Sequence, residues 1–270
     1  MLIRPTVLKG SGLKISRVAM GLSHLHRMNS PYARDRLIQE ARDFGITHFD
    51  TAPLYGDGLA ERVLGRSLQP FRAEVTIATK FGLLPSRWIG ALGMLSWPVR
   101  AGRSVLRRVG LVKWPKRSFS VAAFQSSLSI SLKALRTDYI DICFLHEPML
   151  MDMEDNQALL ASLIKAKEAG KIRAIGIAGT GCEPMLARFG DTIDVVQTAE
   201  ADWNGTRFVP DLTYGAITNG MATANTIDPR VNPACASLLR ALSRRPEGSV
   251  IVGTTKIHHL RQLAEVAADT

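Results

Sequence analysis

Eight short apolar runs, separated by amphipathic helical stretches, constrain this 270-residue chain more than any other feature. They fall at Ile15–Gly21, Thr47–Thr51, Val75–Lys80, Tyr139–His146, Ala174–Gly179, Asp194–Ala199, Leu212–Ile217 and Ser249–Gly253. Most lack a strict apolar–polar alternation, as expected for strands buried on both faces of a parallel sheet. The stretches between them carry helix signals. In "SPYARDRLIQEARDFG", Pro31 sits near the start and Gly45 just past the end, the usual asymmetry of helix termini. "MEDNQALLASLIKAKEAGK" is closed by Gly170 as a C-terminal cap.

Strand and helix alternating eight times predict an α/β fold, a parallel (β/α)8 TIM barrel. The rival, an open doubly wound sheet, lacks its Gly-rich turn after the first run. A single domain over residues 1–270 fits the length. Two irregularities stand out. "EADWNGTRFVPD", between the sixth and seventh runs, is short and poor in helix formers, so a reduced sixth helix is expected. After Lys80 a long insertion, residues 81–118, interrupts the rhythm. Cys143, Cys182 and Cys235 share no metal-ligand spacing and read as reduced thiols of a cytoplasmic protein. The opening "MLIRPTVLKG" lacks the apolar centre of a secretory signal. The longest uncharged apolar stretch, Trp88–Val99, is too short to span a bilayer.

In a parallel barrel, chemistry collects where the strands end and the following loops converge. Asp50 ends the second run, Tyr55 lies on the loop after it, Lys80 ends the third and His146 the fourth. Each has a structural alternative: a helix cap, a core phenol, a solvated amine, a satisfied buried ring. Placed at one mouth they suggest proton donation to a carbonyl oxygen. Tyrosine is a weak acid, with a pKa of about 10. A neighbouring ammonium is expected to lower that value, with Asp50 holding the ammonium and His146 orienting the oxygen. Such a set moves a proton and supplies no electrons, so it requires a hydride donor such as a nicotinamide cofactor. In "VIVGTTKIHHL" a strand ends at Gly253 and a helix starts near Ile257. The backbone N–H groups and hydroxyls of Thr254 and Thr255 there suit a phosphate. Lys256 and His259 could neutralise a second one, which leans the choice to NADP, with NAD the alternative.

The chain resembles the aldo-keto reductase superfamily from about Leu8 to Ala267. The matching pieces are "LKGSGLKISRVAMG", "GITHFDTAPLYGDGLAERVLG", "ATKFG", "SLKALRTDYIDICFLHEP", "GKIRAIGI", "VVQ" and "VIVGTTKIHHL". The resemblance implies a (β/α)8 barrel with Tyr55 as general acid/base, Asp50 and Lys80 tuning it, and His146 orienting a small carbonyl or sugar substrate. It implies that Gln197 hydrogen-bonds the nicotinamide amide and that Tyr214 stacks on its ring. The chain departs from the family at Ala178 and Gly179, where a Ser-Asn pair usually grips the carboxamide, and at Leu263, where an Asn often meets the adenine. The expected function is NAD(P)-dependent interconversion of a carbonyl and its alcohol. The alternative is a non-catalytic, dinucleotide-sensing barrel.

The net charge of +10 is local. No acid occurs between Glu74 and Asp138, and residues 85–118 carry eight basic side chains, without which the net charge is +2. No nucleic-acid recognition module is present, so nucleic acid is not an expected partner. The insertion follows the strand ending at Lys80 and so emerges at the active-site face. A helix over Pro98–Val109 would gather its arginines on one side, beside Trp88, Trp97 and Trp114. Three readings stay open: a lid over a large or anionic substrate, peripheral contact with an anionic membrane through residues 85–118, or a mobile loop or oligomer contact. The sequence leaves the oligomeric state open.

Overall fold

The computed structural model of the protein describes residues 2–84, 116–153, 156–203, 208–220 and 232–268. The predicted helix over Pro98–Val109 and most of the basic insertion lie outside the described residues. The chain opens with an antiparallel hairpin, β1 (Pro5–Val7) and β2 (Lys14–Ser16). Eight parallel strands follow: β3 (Val18–Gly21), β4 (His48–Asp50), β5 (Thr76–Phe81), β6 (Ile140–His146), β7 (Ile172–Ala178), β8 (Val195–Ala199), β9 (Leu212–Tyr214) and β10 (Ser249–Val252). They close into a barrel in chain order, β10 pairing with β3. The fold expected from the alternation is the fold observed. One boundary differs. The first apolar run is split at Arg17, so that Lys14–Ser16 belongs to the hairpin and only Val18–Gly21 to the barrel.

Local sequence explains the outer helices. In α1 (Pro31–Asp43) the Ser30 hydroxyl accepts from the Ala33 N–H at 3.2 Å, Pro31 opens the first turn, and Leu37, Ile38 and Ala41 face inward. α2 (Leu59–Leu68) follows β4. α3 (Val121–Leu135) is capped by Ser120, which accepts from the Ala123 N–H, and buries Phe124, Leu128, Ser131 and Leu135 on one stripe. Each such Phe or Leu contributes about 1.5–3 kcal/mol of burial. The short α4 (Leu150–Met153) and α5 (Gln157–Glu168) follow β6, and α6 (Glu183–Phe189) follows β7. No helix is present among the described residues between β8 and β9, in line with the reduced sixth helix expected. α7 (Ala216–Gly220), α8 (Pro233–Ser243) and α9 (Ile257–Ala268) complete the ring.

Register decides what faces the barrel interior, because side chains alternate along each strand. Asp50 is level with Ala78, Lys80 with Phe144, His146 with Ala178, Ala178 with Gln197, and Tyr214 with Ile251. Ala19, Ala78, Ile142, Phe144, Ala174, Val195, Leu212 and Ile251 form an interior cluster with Leu8, Leu13 and Ile15 of the hairpin. The hairpin therefore plugs the N-terminal end of the barrel. The polar residues lie further along the same inward-facing positions, at the opposite end.

Candidate active site

A cavity of about 680 Å³ opens at the C-terminal end of the strands, and Asp50, Tyr55, Lys80, His146, Gln197, Tyr214 and Gly253 all line it. β4 and β5 place Asp50 and Lys80 on adjacent strands, both buried, with the Lys80 Nζ donating to both Asp50 carboxylate oxygens at 2.6 Å. The same ammonium donates to the Thr51 carbonyl at 2.9 Å. Three contacts match the three donors of an ammonium. Tyr55 meets this ammonium through its ring, whose centroid is 4.9 Å from Nζ. The Tyr55 and His146 rings meet edge to face at 6.2 Å.

The electrostatics correct one expectation. Tyr55 is not acidified: burial, then Asp50, then Glu147, hold its phenol well above the ordinary tyrosine value. Burial is the largest cause; Asp50 and the Thr51 carbonyl take up the three Lys80 donors, and the ammonium meets the face of the Tyr55 ring. Burial pulls the Lys80 ammonium itself down, opposed by Asp50. Burial, then Lys80 and Arg117, push His146 down to about 3, leaving a neutral imidazole at physiological pH. Among the described residues neither the phenol of Tyr55 nor the His146 ring has a hydrogen-bond partner, so both are open to a ligand. The site thus presents a protonated phenol and an uncharged ring beside a neutralised ion pair.

The residues expected to hold a dinucleotide divide. Gln197 is buried in the wall, and its Oε1 atom has no hydrogen-bond partner. An orphaned buried acceptor of this kind suits an amide N–H. Tyr214 stands half-buried two residues beyond Leu212. Of the set 253–259, Gly253 alone lines the cavity. The Thr254 hydroxyl accepts from the Lys256 N–H at 3.1 Å and so turns back on its own loop before α9. Thr255 is partly exposed, and Lys256 and His259 are exposed. His259 meets His258 edge to face at 4.3 Å, and slight burial, then His258 and Lys256, lower its pKa. Leu263 is buried in the main hydrophobic core.

Sequence reasoning missed further wall residues, among them Ser23, His24, Leu83, Arg117, Glu147 and Thr218. Arg117 belongs to the insertion's return. Leu84 N–H donates to the Lys116 carbonyl at 2.9 Å and Ser118 N–H to the Gly82 carbonyl at 2.8 Å, which ties the two ends of the insertion together at the rim. The adjacency of Glu147 to His146 was a visible signal; the backbone conformation that turns it into the cavity was not.

The Aldo/keto reductase family model matches residues 17–199. The chain belongs to that family. It is 30% identical over 179 residues to an L-galactose dehydrogenase of Arabidopsis thaliana, covering 64% of this chain and 47% of that protein. It is 28% identical over 187 residues to the aldo-keto reductase yakc of Schizosaccharomyces pombe, whose name carries NADP(+), covering 68% and 47%. The chain thus spans about half the length of the curated relatives it matches. In architecture it is similar to an aldo-keto reductase of Bacillus halodurans in its holo form, at a TM-score of 0.79 and 18% identity, covering 99% of this chain and 92% of that one.

Proposed function

We propose that the protein is an NADP-dependent oxidoreductase that reduces an aldehyde, ketone or open-chain sugar, and reoxidises the alcohol, with Tyr55 as the acid/base group. One observation carries this reading: a protonated phenol, a neutral imidazole and a buried ammonium–carboxylate pair face one cavity together with the orphaned amide oxygen of Gln197. A bound nicotinamide dinucleotide supplies the hydride. The chain's residues do the rest. His146 holds the substrate carbonyl oxygen, Tyr55 hands that oxygen its proton, and the Lys80–Asp50 pair fixes the Tyr55 ring beside it. A phenol kept protonated by burial is suited to the donor's part. Gln197 would take the carboxamide, Tyr214 the ring face, and the turn from Gly253 through Thr254 and Thr255, with Lys256 and His259, the phosphates. The NADP(+) in the name of the fission-yeast relative supports the choice of dinucleotide. Buried, unpaired thiols at Cys143, Cys182 and Cys235 suit a reducing, cytoplasmic setting.

A panel of neutral aldehydes with NADPH, followed by loss of absorbance, tests the reading. Wild-type turnover is expected to stay level across neutral pH and to fall only on the alkaline side. Tyr55→Phe is expected to lose about 10²–10⁴-fold in kcat, while fluorescence titration still shows NADPH binding. A variant that turns over normally removes Tyr55 from the chemistry. The second reading, a dinucleotide sensor without turnover, is favoured by the apolar pair Ala178 and Gly179 where a polar clamp is usual. NADPH binding without turnover on the whole panel would select it.

A further inference from the structure

We propose that Glu147 is a specificity-determining residue that selects neutral, polyhydroxylated carbonyl compounds and turns away those bearing a phosphate or carboxylate. The proposal rests on the reductase reading above and adds to it the class of substrate.

Glu147 follows His146 directly and adopts a left-handed backbone with φ of 52°. A residue with a Cβ pays for that conformation, so surrounding contacts must impose it. Two do: the Glu147 N–H donates to the Ala178 carbonyl at 2.6 Å, and its own carbonyl accepts from Arg117 Nη2 at 2.7 Å. A third feature makes room. Gly179 has φ of 155°, and a Cβ added there would stand 2.9 Å from the Glu147 Cα and 3.1 Å from its Cγ. The absent side chain at residue 179, a departure already visible in the sequence, is thus matched by the presence of Glu147 in the same space. The turn delivers the Glu147 side chain to the cavity wall, where its carboxylate has no hydrogen bond or ion pair with any described residue.

Among the described residues no free positive charge opposes that carboxylate. The charged residues in the described wall are Asp50, Lys80, Arg117 and Glu147. Lys80 is paired with Asp50. Arg117 is held by Asp152 at 2.5 Å as well as by the Glu147 carbonyl. Asp152 in turn accepts from the Met149 N–H at 2.7 Å, which fixes the latch. Among the described residues the one wall charge without a partner is therefore negative. A carboxylate offers two oxygens to which adjacent hydroxyls can donate together, and hydrogen bonds to an ionised acceptor are the stronger kind. The same group repels a phosphate brought into the cavity, and both wall cations are already engaged.

A pair of aldehydes that differ only in charge tests this: glyceraldehyde and glyceraldehyde 3-phosphate, with NADPH, at physiological ionic strength. The expected result for wild type is a kcat/KM at least about tenfold higher for the neutral aldehyde, from like-charge repulsion at partly screened range. Glu147→Gln is expected to bring the two within about threefold, by losing on the neutral aldehyde and gaining on the phosphate. Glu147→Gly separates selection from folding, because glycine relieves the left-handed backbone: its urea midpoint should rise or hold while the selectivity collapses. Equal use of the two aldehydes by wild type, or an unchanged ratio in Glu147→Gln, overturns the proposal. Preference for the phosphate also overturns it and hands recognition to the basic residues of the insertion. No turnover on either aldehyde, with NADPH bound, sinks the reductase reading itself and this proposal with it.

Discussion

For Lys80 and Asp50, residue type and position at a strand end determine much of their role. Their identities and their places at strand ends were enough to gather them with Tyr55 and His146 at one mouth, and that grouping is what the barrel delivers. The pairing of Asp50 with the Lys80 ammonium was expected and is present; the upward shift of the Tyr55 phenol was not legible. Whether an ammonium serves a phenol or a carboxylate depends on which lies within hydrogen-bond range, and here Asp50 does at 2.6 Å. Both partners are buried, so removing one leaves the other uncompensated. Asp50→Asn is expected to cost about 3–5 kcal/mol of stability at pH 7 in urea unfolding. Adding Lys80→Met should restore most of that stability without restoring turnover. A double variant no more stable than Asp50→Asn would show that the loss came from packing and not from an unpaired charge. Glu147 is the opposite case: its letter is plain in the sequence, but its left-handed backbone depends on Ala178, Gly179 and Arg117 brought up from other parts of the chain.

At the scale of elements, the alternation of apolar runs and helical stretches located every barrel strand, because buried parallel strands and amphipathic helices leave different periodicities. The hairpin ahead of the barrel escaped, since "KIS" and "VAMG" read as one apolar run broken only by Arg17. Nothing local says that the first half turns back to plug the barrel's end. The packing of α2 on α3 is likewise a tertiary matter. A Cβ at Gly65 would lie 2.5 Å from the Ala134 carbonyl oxygen and 2.6 Å from the Leu135 Cα, which are backbone atoms that cannot rotate away. Gly65→Ala is therefore expected to destabilise the fold by about 1–3 kcal/mol, despite alanine's better helix propensity. A variant as stable as wild type in urea would mean that the two helices part at no cost.

Across the whole molecule, burial of histidines makes stability depend on acid. His48 is fully buried, its Nδ1 is 2.8 Å from the Thr76 hydroxyl, and its other ring nitrogen has no partner. Burial, then Lys80, lower its pKa to about 3, the same value as for His146. A folded-state pKa below the unfolded one means that unfolding takes up protons. The stabilisation from each neutral ring is whole above about pH 6.5 and is lost as pH falls toward 3. Urea unfolding between pH 7 and pH 4.5 should show this loss, each ring adding up to about 1.4 kcal/mol per pH unit below pH 6. His48→Asn should flatten the slope by about one such increment; an unchanged slope would exclude the ring as its source.

By itself the sequence determined the eight-stranded barrel, the end at which the chemistry lies, and the identities of four polar residues there. Those follow from periodicity and from strand ends, which are properties of neighbours along the chain. Tertiary structure alone decided that Arg117 meets Asp152 and the Glu147 carbonyl, that the Tyr55 ring lies against the Lys80 ammonium, and that the Glu147 carboxylate has no partner among the described residues. Charge interactions fall within a few ångströms in space, and the residues concerned stand far apart in the chain.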